Sequence, residues 1–403
     1  MNVNDLSDEA ARSCTGCGAC AAVCPHNAIL FALNEEGFYA PAIQQNCVSC
    51  GICRKVCLKF APEGGLSTSG LRNGTLFSAT SSQKEVLMKS TSGGAAFELA
   101  RNSLLHQREI AGVKYDSGRN RVCTVLVSEA ERLGELQGSK YLQSCTFPCF
   151  GMMLSAAKSG RQFAVFGTPC QIFGLDAAAK MQGVRGSFLL AELFCHGVPS
   201  YYLWDDYTNW LMRNKKIGSI QKVCFRSKRF GWHSYTVEVS GDKGDYINLS
   251  QNDPFYQIYF DHAALCQACY KCTFRAGASS ADVRLGDFWG GEYESNREGV
   301  SAAVALTDAG CQWLEASGLL LEKKSDAEQF LAVQSCGEYP LVKTRDDTLQ
   351  MLRAGIGIKK VRRNYRKRFS VSHRLRLLVK EAAGVLPLTL RARLYAMLKR
   401  YDM

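Results

Sequence analysis

Two cysteine-rich stretches stand close together near the start of the chain. Residues 14–25 read CTGCGACAAVCP, and residues 47–58 read CVSCGICRKVCL. Each stretch has the spacing Cys-x2-Cys-x2-Cys-x3-Cys. Eight thiols in so short a segment predict a small fold organised around metal-bound sulfur rather than around a large apolar core.

The spacing is that of bacterial two-cluster ferredoxins, in which the fourth cysteine of each run binds the other cluster. Backbone N–H groups around Gly16, Gly18 and Gly51 can donate to the sulfurs. A structural zinc site is the alternative, and the doubled register argues against it. The second run ends in Leu58 where the first has Pro25, a mild departure. We assign one [4Fe–4S] cluster to Cys14, Cys17, Cys20 and Cys57, and the other to Cys47, Cys50, Cys53 and Cys24.

The cysteine usage also indicates a cellular compartment. The chain has 403 residues, room for two or three domains, and 19 cysteines, an odd number that argues against a closed disulfide framework. The polar, acidic start is not that of a secretory signal, and no apolar run approaches the ~18 residues that span a bilayer. Metal thiolates in a reducing compartment are therefore expected, which predicts a cytoplasmic protein.

Hydrophobic periodicity divides the rest of the chain. We predict a two-cluster domain over residues 1–60, a Gly/Ser/Thr-rich linker over 61–74, a mixed body over 75–350 and a basic helical tail over 355–403. The fold class is α+β or α/β, multidomain. The expected elements are helices over 95–105 and 202–212, strands over 121–127, 163–166, 189–194 and 282–285, and a hairpin over 222–239.

A short hydroxyl- and glycine-rich stretch precedes the first helix of the body. It reads Ser90-Thr91-Ser92-Gly93-Gly94. Hydroxyls and glycine amides at a helix N-terminus can cradle a phosphate. A capped helix after a glycine turn explains the same residues, and no GxGxxG follows a strand to indicate a dinucleotide fold.

Further motifs follow in a fixed order: GSKYLQS at 138–144, GTPCQ at 167–171, CHGVPS at 195–200, FRSK at 225–228 with Gly231-Trp232, Cys269-x2-Cys272, and Asp282-x3-GDFWG ending at 290. Over residues 10–310 the set resembles the coenzyme F420 hydrogenase/dehydrogenase beta-subunit family. The resemblance implies a domain that binds FAD and a further [4Fe–4S] cluster. A flavin would join one-electron relay by the clusters to two-electron chemistry.

The resemblance also implies roles for individual residues. Lys140 is expected to place a cation near the flavin ring or its phosphates, with a solvated loop lysine as the alternative. Asp287 and Trp289 are expected either to line the pocket or to serve the structure. The residues expected to hold FAD are Ser90, Ser92, Gly93, Gly94, Lys140, Tyr141, Gln143, Ser144, Thr168 and Gln171.

For the third cluster we choose Cys170, Cys195, Cys269 and Cys272, because three of them follow apolar strands or form a Cys-x2-Cys pair. Cys266 stands three residues before Cys269 and could replace Cys170. The other cysteines are expected to be small buried apolar residues, with a minor redox alternative for the two beside the flavin loop. These are Cys123, Cys145, Cys149, Cys224, Cys311 and Cys336.

Two residues are candidates for catalysis. His196 could donate a proton during substrate reduction, since its ordinary pKa suits that role. The alternative is that His196 only orients the loop of its neighbour Cys195, and His233 is a weaker candidate. Lys140 is the second catalytic candidate.

The basic character of the chain lies in its tail. Residues 359–403 hold 14 Lys or Arg against two acids, a balance equal to the net charge of +12 of the whole chain. The pattern predicts two basic amphipathic helices divided near residues 384–387. We expect peripheral association with the inner face of the cell membrane. The alternatives are a helix packed on the body or on an acidic electron donor, and nucleic-acid binding, which no recognition motif supports.

Together these patterns predict a flavin-dependent iron–sulfur oxidoreductase. Electrons from reduced ferredoxin, or from reduced coenzyme F420, would pass through the clusters to FAD and then to a small organic substrate, and the reverse direction is equally allowed. The alternative is an electron-transfer subunit that feeds a separate catalytic partner. A cluster-based redox sensor is a third hypothesis. The sequence names neither the substrate nor the donor.

Overall fold

The structure, a computed structural model, describes Leu6, residues 14–60, 70–334 and 337–367, and seven single positions farther on. Cys336 lies outside the described residues, as does most of the second tail helix expected after Pro387. None of the helices in the described ranges combines the length and the apolar character that crossing a bilayer requires.

The cysteine-rich region folds around a hairpin and two one-turn helices. Strand β1, Ile29–Leu33, pairs antiparallel with β2, Tyr39–Ile43. Helices α1, Ala19–Ala22, and α2, Ile52–Lys55, each follow a glycine with positive φ, Gly18 at 81° and Gly51 at 75°. Glycine adopts this conformation without the steric cost of a Cβ, so each cysteine run can turn sharply into its helix.

The body contains eleven strands and eleven helices among the described residues. The strands are β3 Thr75–Thr80, β4 Arg108–Asp116, β5 Arg121–Val127, β6 Gln162–Gly167, β7 Phe188–Leu193, β8 Ile220–Ser227, β9 Thr236–Gly241, β10 Gly244–Leu249, β11 Val283–Asp287, β12 Ser301–Ala305 and β13 Leu320–Lys324. The helices are α3 Gly70–Asn73, α4 Lys84–Lys89, α5 Ala95–Leu105, α6 Cys149–Ala157, α7 Pro169–Met181, α8 Tyr201–Asn214, α9 Pro254–Phe260, α10 Asp308–Ala316, α11 Ala327–Val333, α12 Arg345–Arg353 and α13 Ile358–Arg366.

One mixed sheet of eight strands organises the body, in the order β13-β3-β12-β11-β7-β6-β4-β5. The pairs β4–β6, β6–β7 and β7–β11 are parallel, and β12 runs antiparallel to both β11 and β3. Strands β3, β4, β6, β7 and β11 therefore point the same way. Their carboxyl ends share one edge of the sheet, the edge where open α/β sheets bind ligands.

Both faces of this sheet are covered, because successive strand residues point to opposite sides. Phe163 and Val165 pack on one face with α6, α7 and apolar residues of the cysteine-rich region. Ala164 packs on the other face with α5 and α10. The small N-terminal region thus lies against the helical layer that carries Cys170.

A second unit lies between β7 and β11 in the sequence. Strands β8, β9 and β10 form an antiparallel sheet that packs with α8, α9, α12 and α13 in one large core. The core is rich in aromatic residues, including Tyr201, Trp204, Tyr207 and Phe255. This unit holds Arg226, Cys269 and Cys272 close to the sheet edge.

Most expected elements are confirmed. The helix over 95–105 and the strand over 121–127 have the predicted bounds, and the hairpin over 222–239 is β8–β9. The expected linker differs at its end: residues 61–69 lie outside the described residues, whereas 70–73 are helical and Leu71 is buried.

The first basic helix of the tail exists as α13, but its apolar side is not free. Ile358, Val361 and Tyr365 are buried in the large core, and the Tyr365 hydroxyl donates to Asp261 at 2.8 Å. Residues 358–366 therefore form a helix that packs on the body, which is one of the alternatives that the sequence allows for the tail.

Candidate functional site

The first set of cysteines surrounds a cavity of about 420 Å³ beneath the first cluster loop. Burial, followed by the neighbouring thiols of Cys17 and Cys57, raises the pKa of the Cys14 thiol to about 12. Burial and then the thiols of Cys17, Cys14 and Cys57 raise the pKa of Cys20 well above its usual value. Thiolates so placed repel one another and lack water, and iron would compensate their charge.

The second set lines a smaller cavity of about 20 Å³, formed by Cys24, Cys47, Cys50 and Cys53. Burial, followed by Cys50, raises the pKa of the Cys53 thiol to about 11, and Cys24 also raises it. The structure therefore groups Cys24 with the second run and Cys57 with the first, which is the crossed arrangement of two-cluster ferredoxins.

Backbone amides point at one sulfur of each of these two cysteine groups. Gly16 N–H donates to Cys14 Sγ and Ala28 N–H donates to Cys24 Sγ, each at 3.3 Å. Within 14–60, 70–334 and 337–367, no three His, Cys, Asp or Glu side chains converge on a position for a single metal ion, whereas a cube spreads its thiolates over four irons.

A third group of cysteines forms at the carboxyl edge of the large sheet. Cys170 opens α7 directly after β6, and Cys195 follows β7. Burial, followed by the thiols of Cys269 and Cys272, raises the pKa of the Cys195 thiol to about 12. The thiols of Cys195 and Cys272 likewise raise the pKa of Cys170, after burial. The structure thus brings the four chosen cysteines together.

Cys266 lies beside this group rather than within it. Its buried thiol donates to the carbonyl of Cys14 at 3.4 Å, and it is a hydrogen-bond partner of the Cys269 thiol. This position between the first and third groups favours Cys170, not Cys266, as the fourth ligand.

The first and third groups are neighbours across one helix. Gly174 follows Cys170 by one turn of α7, about 6 Å along the helix axis. A Cβ on Gly174 would stand 3.0 Å from Cys17 Sγ. Cys17 also raises the pKa of Cys170, and Cys272 lines the 420 Å³ cavity of the first group. The three groups therefore follow one another from the hairpin region to the sheet edge.

Gly174→Ala should lower both the iron content and the unfolding temperature. Alanine in a helix normally gains about 1 kcal/mol over glycine, but here its Cβ would meet Cys17 Sγ and, at 2.9 Å, Ala19 Cβ. Overpacking of this kind costs about 1–3 kcal/mol. Gly151→Ala on α6 is the control, because its Cβ would find Ala22 at an ordinary 3.7 Å. Equal iron content and equal melting of the two variants would contradict the prediction.

Gln143, an expected flavin residue, fastens the cysteine-rich region to the body. Tyr39 N–H donates to Gln143 Oε1 at 2.6 Å, and Gln143 Nε2 donates to the carbonyls of Thr15 and Tyr39, both at 3.3 Å. Thr146 Oγ1 donates to the Cys17 carbonyl at 2.7 Å. These bonds hold the first cluster loop, and sequence reasoning missed them.

Three other expected flavin residues are also engaged within the protein. Thr168 and Gln171 form a reciprocal capping box at the start of α7, with Thr168 N–H donating to Gln171 Oε1 at 3.1 Å. Gln171 Nε2 donates to Ser144 Oγ at 2.9 Å. These contacts position the helix that carries Cys170.

Lys140 is half-buried, and its ammonium binds backbone carbonyls of the preceding residues. Its ammonium donates to the carbonyls of Leu136 and Gln137, at 2.8 and 3.0 Å, and to that of Glu135 at 3.4 Å. It thereby caps the C-terminal end of the 3₁₀ helix Ala130–Glu135. Burial lowers the pKa of Lys140 to about 7.

The stretch Ser90–Gly94 forms a tight turn at the carboxyl edge of the sheet. A Cβ on Gly93 would collide with Ala79 O and stand 2.5 Å from Ser301 N, and Gly94 has φ +90°. Helix α5 begins directly after this turn without a side-chain cap. The Lys228 ammonium, buried beside the turn, donates to the carbonyls of Leu87 and Ser92 at 2.6 Å each. An uncapped helix end and a buried cation suit an anionic group.

A buried ion pair inside an aromatic cluster lies two residues from Lys228. Arg226 Nη1 and Nη2 lie 3.2 and 3.4 Å from the Asp287 carboxylate, and the Trp232 indole donates to Asp287 at 2.7 Å. The guanidinium stands 3.8 Å above the ring of Tyr235, which stacks on Trp289 at 5.8 Å. Tyr235 has a positive φ of 49°, unusual for a bulky residue.

This cluster also includes Tyr141, whose hydroxyl accepts from Arg226 at 3.2 Å. Asp287 ends β11, so the pair lies at the same sheet edge as the Ser90–Gly94 turn and Cys195. Arg226 and Asp287 belong to the sequence motifs FRSK and GDFWG, but no sequence pattern indicates that these two residues pair.

His196 occupies a hydrogen-bonded chain behind the third cysteine group. Its Nε2 lies 3.0 Å from His262 Nε2, and its Nδ1 lies 3.0 Å from the Tyr339 hydroxyl. Burial, then His262 and Arg275, lower the pKa of His196 to about 3, so the ring is neutral near pH 7. Both ring nitrogens are engaged, which favours the loop-orienting alternative over proton donation.

The remaining described cysteines are only partly as expected. Cys149 is buried, whereas Cys123, Cys145, Cys224 and Cys311 are half-buried. Cys123 and Cys145 face each other in an isolated parallel bridge.

Comparison with known proteins gives the class first. Residues 13–61 match the model of the 4Fe-4S dicluster domain. Residues 160–326 match the model for the C terminus of the beta subunit of coenzyme F420 hydrogenase/dehydrogenase. The chain is therefore an iron–sulfur electron-transfer protein related, through residues 160–326, to an oxidoreductase family.

Similar chains also occur among solved structures, and one of them gives a particular relative. A chain of the F420-reducing [NiFe] hydrogenase complex from Methanosarcina barkeri is 19% identical, with 74% of this chain and 94% of that chain covered and a TM-score of 0.45. No curated protein matches the chain.

Proposed function

We propose that the chain is a flavin-dependent iron–sulfur oxidoreductase that passes electrons between a low-potential carrier and a small organic substrate. The observation that carries the proposal is the succession of three four-cysteine groups, which ends at the sheet edge beside the Ser90–Gly94 turn and the Arg226–Asp287 pair. Three cubes in series would lead one-electron equivalents to one place in the body.

The outer group is where a carrier would approach. Cys50 is exposed, and Val48 beside it is 60% exposed, whereas Cys195 and Cys170 lie deeper. Exposed Lys55 follows two residues after Cys53 and would favour an acidic carrier such as a ferredoxin. Reduced coenzyme F420 remains the second candidate donor.

The residues of the turn suit FAD, which would supply exchange between single electrons and a hydride. The amides after Gly93 and Gly94, with the charge of buried Lys228, would hold its phosphates. The hydroxyls of Ser90 and Ser92 lie in the same turn, where Ser90 Oγ accepts from Gln137 Nε2 and Ser92 Oγ donates to the Val300 carbonyl. Tyr141 and the Arg226 guanidinium would border the ring. Five other expected flavin residues would hold the surrounding loops in place, since their polar groups are bonded within the protein. These are Lys140, Gln143, Ser144, Thr168 and Gln171.

His196 would keep the third cluster loop in place rather than move a proton. Arg275 shares that task, because it donates to the carbonyls of His196 and Tyr270 at 3.4 and 3.1 Å. The same guanidinium lies 3.5 Å from the ring centre of Tyr339.

Anaerobic purification followed by iron, sulfide and flavin quantitation tests the proposal. We expect about twelve irons, about twelve sulfides and one FAD per chain, because three cubes hold four irons each. An iron content of about eight per chain would contradict the presence of a third cluster. The absence of flavin after reconstitution with FAD would remove the flavin assignment.

The alternative is an electron-transfer subunit without substrate chemistry of its own. The observation in its favour is that Lys140, Gln143 and Gln171 direct their polar groups to other parts of the protein, which leaves fewer groups to hold a flavin. A stable co-purifying partner, with twelve irons but no flavin in the chain itself, would favour this function over the first.

A further inference from the structure

The C-terminal part of α8 and the helix α13 pack side by side. Asp206 on α8 accepts from the backbone N–H groups of Gly357 and Ile358 at the start of α13. Because Ile358, Val361 and Tyr365 are buried, α13 is fixed with its apolar side inward. Whatever it presents to a partner is therefore its polar side.

That side is strongly basic and continues onto α8. Two ammonium groups lie close to the same indole ring. Lys215 Nζ is 5.4 Å and Lys359 Nζ is 5.7 Å from the ring centre of Trp210. Asp242 is bonded nearby, accepting from Ser219 N–H at 2.7 Å. We call this surface the basic face; its exposed cations are Arg213, Lys215, Lys216, Lys359, Lys360 and Arg363.

Exposed apolar side chains lie on α8 and next to α13. Met212 is 37% exposed and Ile356 is 41% exposed, one beside Arg213 and the other just before α13. Residues 368–403, which continue from α13, add eight Lys or Arg against two acids. Cations mixed with apolar side chains suit a surface that is anionic outside and apolar beneath.

We propose that the basic face docks the folded body onto an anionic lipid surface. Headgroup phosphates would lie against the cations, while Met212 and Ile356 enter the boundary with the acyl chains. A nucleic acid offers charge without an apolar layer, so it is the less suitable polyanion. The proposal does not depend on the flavin or on the clusters.

Flotation of the full-length holoprotein with vesicles tests it. The vesicles are phosphatidylcholine alone, or phosphatidylcholine with about one-third phosphatidylglycerol. We expect binding only to the anionic vesicles, and weaker binding as salt rises. Lys216→Glu with Lys360→Glu, one change just after the end of α8 and one on α13, should weaken binding at least about 25-fold, since each basic residue contributes about 1 kcal/mol.

The control is Lys158→Glu with Lys323→Glu, which alters net charge equally at exposed positions away from α8 and α13. It should bind like the unchanged protein, and iron content should be equal in both variants. Equal flotation of the two variants would contradict the assignment of lipid binding to the basic face. The segment after residue 367 would then be the candidate for the binding element. Binding to an RNA or DNA oligomer at physiological salt, without binding to anionic vesicles, would overturn the lipid surface.

Discussion

Replacing Cys269 with alanine should remove about four irons and four sulfides per chain and leave the two clusters of the N-terminal region intact. The reason is that Cys269 lies with Cys272 at the sheet edge, close to Cys195. Among the neighbouring thiols, that of Cys269 raises the pKa of Cys195 the most. A cube with three protein thiolates in an otherwise buried setting is expected to be lost. Iron and sulfide quantitation after anaerobic purification measures the effect.

Cys266→Ala is the matched control. Its thiol is bonded to Cys14 O and to Cys269, so its loss should leave all twelve irons in place. If Cys266→Ala loses four irons instead, Cys266 is a ligand and Cys170 is not. A double variant completes the design, because Cys266 could take the place of a missing Cys269. Twelve irons in the double variant would exclude Cys269 as a ligand.

Asp287→Ala should destabilise the body by about 3 kcal/mol. It leaves the Arg226 guanidinium, 3% exposed, without a counter-charge among aromatic rings, and breaking a buried pair by removing one partner costs about 3–5 kcal/mol. We take the lower value because Asp287 is 16% exposed. The Trp232 indole loses its acceptor as well.

Anaerobic chemical denaturation of the iron-loaded protein, followed by tryptophan fluorescence, measures this loss. Asp287→Asn keeps an acceptor for Trp232 and should lose less. Glu85→Ala is the control: it breaks an exposed ion pair with Lys89, and the denaturation curve should not move. An Asp287→Ala curve that coincides with that of Glu85→Ala would show that the pair does not hold this part of the fold.

The cysteine groups could be anticipated because their information is local. Spacing of two and three residues restricts which thiols can share a cube, and the crossed fourth ligand follows from the same register. Cys170 and Cys195 follow parallel strands, whose carboxyl ends must meet at one edge. The exclusion of Cys266 from the third group depends on the three-dimensional packing, since Cys266 and Cys269 have the same spacing as a ligand pair.

The roles of the polar loop residues could not be anticipated in this way. Gln143 and Tyr39 are 104 residues apart, and Arg226 and Asp287 are 61 apart. Nothing in a single sequence links such partners, because hydrogen bonds of this kind depend on the final packing. A motif shared with a family indicates that its residues have a role, but it does not indicate which role. Gln143 and Lys140 bind backbone groups of loops, and a residue that supports a loop cannot be told from one that contacts a cofactor by its motif alone.

The contact between the first cluster loop and the body limits how freely such parts could be exchanged in evolution. Gly16 and Gly18 have positive φ, and a Cβ on either would collide with Gln143 Nε2 or with Thr146 Oγ1. A ferredoxin domain borrowed from another protein would carry its own cysteines but would fit only with glycine at both positions. Recombination at the linker alone is thus insufficient: donor loop and recipient loop must be inherited as a matched pair.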